Sequence, residues 1–177
     1  THSLPVSGKR NSHDGCVAKS RETRRMKKLL TEWRKFLNES EVKHNGIIKL
    51  KLNPDVTRKV LELQDSIRDE TAVRLPEKAL HVTLVHQSFM EPHRKQLKKM
   101  ELPEAPEPML DEEKGILVKE TNDKKSWAIE LENQDEMREY VTGLMELLGD
   151  ANTDPEPERK FHITLANLTG NPQDSVR

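Results

Sequence analysis

The tetrapeptide HVTL at 81–84 recurs as HITL 81 residues further along the chain. Both segments are rich in aliphatic and β-branched residues, which favours a β-strand in each. Alternate side chains of a strand point to the same face, so His81 and Thr83 share a face, as do His162 and Thr164. Two imidazoles and two hydroxyl groups are therefore the first candidates for a functional site.

These residue types suit acid–base chemistry at a phosphate. Free imidazole titrates near pH 6.5, so one histidine can accept a proton while the other donates one at about neutral pH. A threonine hydroxyl can donate a hydrogen bond to a non-bridging phosphate oxygen. Two histidines on opposite sides of a phosphorus atom could activate the attacking group and protonate the leaving oxygen, and neither step requires a metal ion.

Two other interpretations of the histidines remain open. A single histidine in an apolar strand is usually a hydrogen-bonded core residue, although a pair related by a repeat favours a shared site. A metal site would need a carboxylate or a third histidine, and the strands offer none on that face. His86 falls on the opposite face of a regular strand from His81, and its counterpart in the repeat is Asn167, so we interpret it as supporting or structural.

The two tetrapeptides belong to a longer internal repeat. A shift of 81 residues aligns Leu50 with Leu131, and it aligns a Pro-acid-base tripeptide at 76–78 with another at 157–159. It also aligns two apolar stripes with the same helical spacing, formed by Val56, Val60, Leu63 and Ile67 and by Met137, Val141, Leu144 and Leu148. A match of this length indicates two related structural units.

The apolar periodicity and the turn residues predict the elements of both units. In chain order they are a strand at 46–52, a helix from Pro54 with Asn53 as its N-cap, a strand at 81–89, a short basic helix and an acidic loop within 92–114, two strands at 115–121 and 126–132, a helix at 133–150 and a strand at 161–168. We predict an α+β fold in which two strand–helix–strand lobes, at about 46–90 and 115–170, place antiparallel sheets around a central cleft. A pseudo-two-fold axis would bring the two histidines together there.

The composition limits the classes of protein that fit. Charged residues make up 34% and aromatic residues 3% of the 177 residues, and the net charge is −1, so nucleic-acid binding would need a local basic patch. The single cysteine, Cys16, excludes a disulfide framework and a thiolate zinc cluster. No apolar run reaches transmembrane length, and no signal peptide is evident. We expect an intracellular protein, cytoplasmic or nuclear, that does not associate with membranes.

The first 39 residues divide into two segments. Residues 1–19 are polar and lack apolar periodicity, which predicts a flexible linker before a domain at 20–177. Residues 20–39 carry apolar residues at helical spacing with basic residues between them, which predicts a helix. Its basic face is either solvated or in contact with an RNA backbone. Because the chain begins at Thr1, we expect it to be part of a longer protein.

The paired motifs resemble those of the two-histidine (2H) phosphoesterase superfamily, and the similarity covers about residues 46–170. The resemblance implies a bilobal fold and hydrolysis of cyclic or of 2′,5′-linked or 3′-terminal RNA phosphodiesters, without a metal or other cofactor. Within the superfamily, the chain is most similar to the C-terminal cyclic phosphodiesterase domain of fungal tRNA ligases. About 45 residues precede the first core strand, and the chain ends shortly after the second motif.

The resemblance also implies residue roles and partners. Water would open an RNA 2′,3′-cyclic phosphate to a 3′-hydroxyl and a 2′-phosphate. His162 would activate the water, His81 would protonate the departing O3′, and Thr83 and Thr164 would hold the phosphate oxygens. The substrates would be tRNA exon halves in splicing or RNA repair. The domain, expected to be monomeric, would be fused to kinase and ligase domains.

Other features leave alternatives open. Trp127, Phe89 and Tyr140 could stack on a nucleobase, although each also suits a core or edge position. The basic run Arg94, Lys95, Lys98 and Lys99 could follow an RNA backbone or form a solvated helix face. The competing functions are cleavage of a linear 2′,5′ or 3′ phosphodiester, RNA binding without catalysis, and protein interaction through the N-terminal helix.

Overall fold

The computed structural model describes residues 42–44, 46–150 and 154–176. The predicted linker at 1–19 and the predicted basic helix at 20–39 lie outside these ranges. Within them, no helix combines the length and apolar character needed to cross a bilayer.

In the described part of the chain, seven strands form one antiparallel sheet, which confirms the predicted α+β class. The strands are β1 (Val42–His44), β2 (Ile48–Lys51), β3 (Val73–Arg74), β4 (His81–Val85), β5 (Ile116–Glu120), β6 (Lys125–Glu130) and β7 (His162–Asn167). Their order is β1-β2-β4-β7-β6-β5, and β3 pairs with the far end of β7. The two strands that carry the histidine–threonine pairs are therefore neighbours at the centre of the sheet.

The two long helices form where the apolar stripes predicted them, and they are α1 (Pro54–Ser66) and α4 (Gln134–Leu147). Two short helices lie between them, α2 (Gln87–Met90) and α3 (Arg94–Leu97), and α3 falls within the segment predicted to hold a short basic helix. Asn53 caps α1 as predicted, since its Oδ1 accepts a hydrogen bond of 2.8 Å from the Val56 amide. Both stripes pack into the core, and the stripe on α4 is the more deeply buried.

One predicted strand is too long. The strand predicted at 81–89 ends at Val85, and the chain then turns into α2. The cause lies in Phe89 and Met90, which are apolar residues that pack onto the core from a helix rather than from a continued strand.

The repeat extends to the structure, but the alignment of β2 with β6, the strands that precede the two long helices, is shifted by two residues. Leu50 pairs with Val82, and Ile129 pairs with Ile163. Since Val82 and Ile163 are equivalent, Leu50 corresponds to Ile129. The ungapped alignment, which paired Leu50 with Leu131, was wrong at this position. The change of two residues preserves the alternation of faces, so the same kinds of side chain still point inward.

Candidate active site

The pairing of β4 with β7 brings the four predicted site residues together. The two strands are antiparallel, and Val82 lies opposite Ile163. Counting outward from this pair places His81 across from Thr164 and Thr83 across from His162. Each imidazole thus has a hydroxyl group opposite it, in an arrangement with two-fold symmetry.

All four side chains line one cleft of about 380 Å³. Each is partly buried, whereas Val82 and Ile163 between them are fully buried in the core. The remaining lining residues are Ile47, Lys49, Leu75, Ala79, His86, Arg159, Asn171, Pro172, Gln173, Ser175 and Val176. The cleft is large enough for a phosphate with part of a nucleoside.

The two imidazole rings are held by equivalent hydrogen bonds. Nδ1 of His81 lies 2.6 Å from the carbonyl oxygen of Ala79, and Nδ1 of His162 lies 2.9 Å from that of Lys160. A carbonyl oxygen only accepts, so Nδ1 carries the hydrogen in both rings. The neutral ring then has its lone pair on Nε2, which is the nitrogen left to exchange a proton.

Burial and nearby cations lower the pKa of both histidines. Burial is the main cause for each, and it outweighs the hydrogen bond to the backbone, which acts in the opposite direction. Lys49 lowers the pKa of His81 further, while Lys119 and Arg159 do so for His162. Lys49 and Arg159 also line the cleft, and no described carboxylate does, so the cleft suits an anion.

Lys119 on β5 is the cation nearest to His162. Its Nζ lies 3.3 Å from Nδ1 of His162, the same nitrogen that faces the carbonyl oxygen of Lys160. One nitrogen cannot donate to the carbonyl and also accept from the ammonium group. The carbonyl contact is shorter and has a fixed direction, so we assign the proton to Nδ1 and treat Lys119 as a neighbouring charge. Burial lowers the pKa of Lys119.

Each of the two central strands contains a β-bulge immediately after its threonine. Lys49 pairs with Thr83 whereas Ile48 pairs with Val85, which leaves Leu84 as an extra residue. In β7, the pairs of Ala128 with Thr164 and of Trp127 with Ala166 leave Leu165 as the extra residue in the same way. Two consecutive side chains after each threonine are buried as a result.

The bulge in β4 corrects the prediction for His86. After the extra residue, His86 returns to the face that carries His81 and Thr83, and it lines the same cleft. The prediction of the opposite face was wrong because it assumed a regular strand. Nδ1 of His86 lies 2.6 Å from Oε1 of Glu156, so the ring is tied to the loop that precedes β7.

Arg159 is a cleft residue that the sequence did not single out. Its Nη1 donates to the carbonyl oxygen of Thr83 at 2.9 Å, and its Nη2 donates to that of Leu84 at 2.7 Å. Its Nε lies 3.4 Å from Oε1 of Glu156, and the guanidinium group stacks 5.1 Å from the centre of the Phe161 ring. Arg159 thereby fastens the second half of the repeat to the bulge of the first.

The last described segment forms another wall of the cleft. Asn167, the repeat counterpart of His86, is fully buried, and its Nδ2 donates to the carbonyl oxygen of Asn171 at 2.6 Å and to Oγ of Ser175 at 3.0 Å. Its Oδ1 accepts from the amide of Gly170 at 2.7 Å. His86 and Asn167 thus each anchor a loop against the cleft, and their equivalent positions in the repeat are the sequence signal that could have identified both.

The three aromatic residues predicted to stack on a nucleobase do not line the cleft. Trp127 is 3% exposed and is covered by Lys125, whose Nζ lies 4.9 Å from the ring centre. Phe89 packs against the core. The Tyr140 hydroxyl donates to the carbonyl oxygen of Pro103 at 2.8 Å, and burial raises the pKa of Tyr140 to about 12. All three aromatic rings therefore serve packing within the fold and not the cleft.

The basic run on and after α3 is exposed and is also absent from the cleft lining. Its members are Arg94, Lys95, Lys98 and Lys99. The described part of the chain contains no group of three or more His, Cys, Asp or Glu side chains that could hold a metal ion.

No protein-family model matches the chain, and a search of curated proteins finds no significant match.

Proposed function

We propose that the chain is a 2H phosphoesterase with the bilobal fold of that superfamily, and that it hydrolyses RNA 2′,3′-cyclic phosphate ends to 3′-hydroxyl, 2′-phosphate ends. The observation that carries the proposal is the symmetric placement of His81, Thr83, His162 and Thr164 around one cationic cleft. The matching Nδ1 contacts support it, because they leave the same nitrogen of each ring available for proton transfer.

The proposed mechanism follows from two bases that flank one phosphorus atom. Nε2 of His162 removes a proton from water as the water oxygen attacks phosphorus. The bond from phosphorus to O3′ breaks on the opposite side, and Nε2 of protonated His81 gives its proton to O3′. The phosphate remains bound to O2′. Each catalytic turnover adds one proton to His162 and removes one from His81. Proton exchange with solvent then restores the starting protonation state of both histidines.

The other cleft residues stabilise the charge that develops on the phosphate. Thr83 and Thr164 donate hydrogen bonds to the non-bridging oxygens. Lys49 and Arg159 on the cleft lining, and Lys119 beside His162, supply positive charge in a partly buried site, where such charges act more strongly than at the surface. A bound phosphate also favours protonated imidazole, which offsets the effect of burial on the acid.

The proposed setting is tRNA splicing or RNA repair. The substrates would be tRNA exon halves, and the kinase and ligase domains of a longer protein would complete the sealing. The proposal includes a monomeric domain, a cytoplasmic or nuclear location and no cofactor.

The first experiment incubates the protein, with excess EDTA, with a short RNA that ends in a 2′,3′-cyclic phosphate. The terminal phosphate isomer is then identified. We expect a 2′-phosphate, and we expect His81→Ala and His162→Ala each to lower turnover at least about 100-fold, the size of an acid–base contribution. Thr83→Val and Thr164→Val should lower turnover less, since each removes one donor.

Other outcomes would redirect or refute the proposal. A 3′-phosphate product would keep the two-histidine mechanism but change the regiochemistry. Cleavage of a linear 2′,5′ or 3′ phosphodiester in preference to the cyclic end would move the enzyme to another substrate class. RNA binding without turnover of either substrate would indicate a binding module. Activity that EDTA abolishes would show that a metal ion takes part.

A further inference from the structure

The cleft borders a second and larger cavity beside His81. This cavity has a volume of about 980 Å³ and shares Lys49, Ala79, His81 and Pro172 with the cleft. The two spaces thus adjoin at His81, one of the two histidines. A terminal nucleotide whose phosphate lies between the histidines would have room to extend in this direction.

Three lysines line the second cavity, against one carboxylate. They are Lys49 and Lys51 on β2 and Lys78 on the turn before β4, and the carboxylate is Glu77. Lys51 pairs with His81 across the strands, and the side chains of Lys49 and Lys51 share a face about 7 Å apart. None of the three lysines forms an ion pair with a described carboxylate.

The residues equivalent to Lys51 and Lys78 in the second half of the repeat do not offer a free positive charge beside His162. The counterpart of Lys51 by strand pairing is Glu130, which forms an ion pair with Lys114 at 3.4 Å. The counterpart of Lys78 is Arg159, whose guanidinium group is bound to carbonyl oxygens of β4. The two-fold symmetry of the histidines is therefore broken in charge, since three lysines without an ion pair to a described carboxylate lie on the His81 side, against Lys119 on the His162 side. We call the cavity lined by Lys49, Lys51 and Lys78 the lysine arm.

We infer that the lysine arm binds the phosphates on the 5′ side of the terminal nucleotide, so that the substrate is an RNA strand rather than a free cyclic mononucleotide. This inference rests on the proposed function. The lysine ammonium is a point charge that suits phosphate contacts without selecting bases. The described lining of the arm contains no Phe, Tyr or Trp, so upstream bases have no stacking partner there.

This direction also distinguishes the two histidines. The ribose carries the leaving O3′, and in an in-line displacement the leaving oxygen and the attacking water lie on opposite sides of phosphorus. A strand that leaves through the lysine arm places O3′ beside His81 and the water beside His162. The position of the arm thus agrees with His81 as the acid and His162 as the base.

The test compares the binding of two ligands, a nucleoside 2′-monophosphate and a five-nucleotide RNA that ends in a 2′-phosphate. The variant is Lys51→Ala with Lys78→Ala, and the matched control is Lys98→Ala with Lys99→Ala, two exposed lysines outside the cleft. Two exposed ion pairs are worth about 3- to 10-fold together, so the Kd of the oligonucleotide should rise by that factor in the first variant only. The slope of log K against log salt should fall by about 1.4, since each single-strand phosphate contact contributes about 0.7.

The mononucleotide separates the inference from the proposed function. We expect the oligonucleotide-to-mononucleotide affinity ratio of the wild-type protein, which reports the upstream phosphates, to fall in the arm variant. An unchanged oligonucleotide Kd and salt slope in that variant would overturn the inference, as would equal losses for both ligands, which would mean that the lysines bind the terminal phosphate. Absence of cyclic-phosphate hydrolysis by the wild-type protein would refute the proposed function alone, because the binding comparison does not depend on turnover.

Discussion

Replacing Arg159 with methionine should remove the hydrogen bonds that join the two halves of the repeat beside the cleft, and should thereby lower the stability of the protein. The Arg159 side chain is 14% exposed and donates two hydrogen bonds to carbonyl oxygens at the bulge of β4. Methionine retains much of the apolar contact with Phe161 but removes both donors and the charge beside Glu156. The matched control is Lys78→Met, which changes the equivalent position of the repeat, where the side chain is exposed.

The expected cost follows from those contacts. A hydrogen bond to a charged group contributes about 1.5–3 kcal/mol, so two contribute about 3–6 kcal/mol. Removing the guanidinium group also avoids its desolvation, which offsets part of that sum. We expect the free energy of unfolding to fall by about 3 kcal/mol in Arg159→Met and by less than about 0.5 kcal/mol in Lys78→Met.

Urea unfolding measures both values. With an m-value of about 2 kcal/mol per molar, the midpoint of Arg159→Met should fall by about 1.5 M. Arg159→Lys should lie between the wild type and the methionine variant, because an ammonium group keeps the charge but does not match both carbonyl oxygens as the planar guanidinium does. Equal midpoints for Arg159→Met and Lys78→Met would refute the assignment of Arg159 as the link between the halves.

Burial lowers the pKa of both histidines below 6.5, the ordinary value for a histidine side chain. The plot of kcat/KM against pH should therefore be bell-shaped with its maximum below pH 6.5. A maximum above pH 6.5 would contradict the assignment of these two buried histidines as acid and base. For the same reason the unfolded chain binds more protons than the folded chain below pH 6.5, so the free energy of unfolding should fall as the pH is lowered, and less steeply in His81→Gln or His162→Gln. Gly170 has a φ of +76°, and a Cβ atom there would lie 2.8 Å from a methyl group on β3. Gly115 has a similar φ of +64°, but a Cβ atom there would have nothing within 4 Å. Gly170→Ala should therefore lower the thermal unfolding midpoint more than Gly115→Ala. Gln64 is buried and donates hydrogen bonds to two carbonyl oxygens. Gln64→Leu should lower the free energy of unfolding, measured in urea, by about 1–3 kcal/mol. No change would show that these hydrogen bonds do not contribute to stability.

The shared face of each histidine–threonine pair could be predicted from sequence because it depends only on strand alternation. The same is true of the helix that begins after Asn53, whose cap is a local contact. The pairing of β4 with β7 was predictable for a different reason, since a repeat with an inward-facing residue in each half favours a symmetric arrangement. Local pattern and symmetry were sufficient for these features.

The features that the sequence did not predict depend on contacts between distant segments. The bulges at Leu84 and Leu165 leave no signal in the apolar pattern, because each adds one more buried aliphatic residue to a run of them. Without the bulge, His86 falls on the wrong face. Arg159 and Lys78 are the same type of residue at the same repeat position, and only the tertiary structure shows that one is buried against β4 while the other is exposed.

The carbonyl oxygens at the two bulges are each bound by the opposite half of the chain. Arg159 binds that of Leu84, and Gln64 with the Leu75 amide binds that of Leu165. The two contacts come from positions that are not counterparts in the repeat, since Arg159 corresponds to Lys78 and Gln64 corresponds to Met145, yet each half supplies the donors that the other half's bulge needs. One half alone could present only one histidine and would leave its bulge unbonded. The cleft therefore exists only where the two halves meet, and neither half by itself can assemble the four site residues.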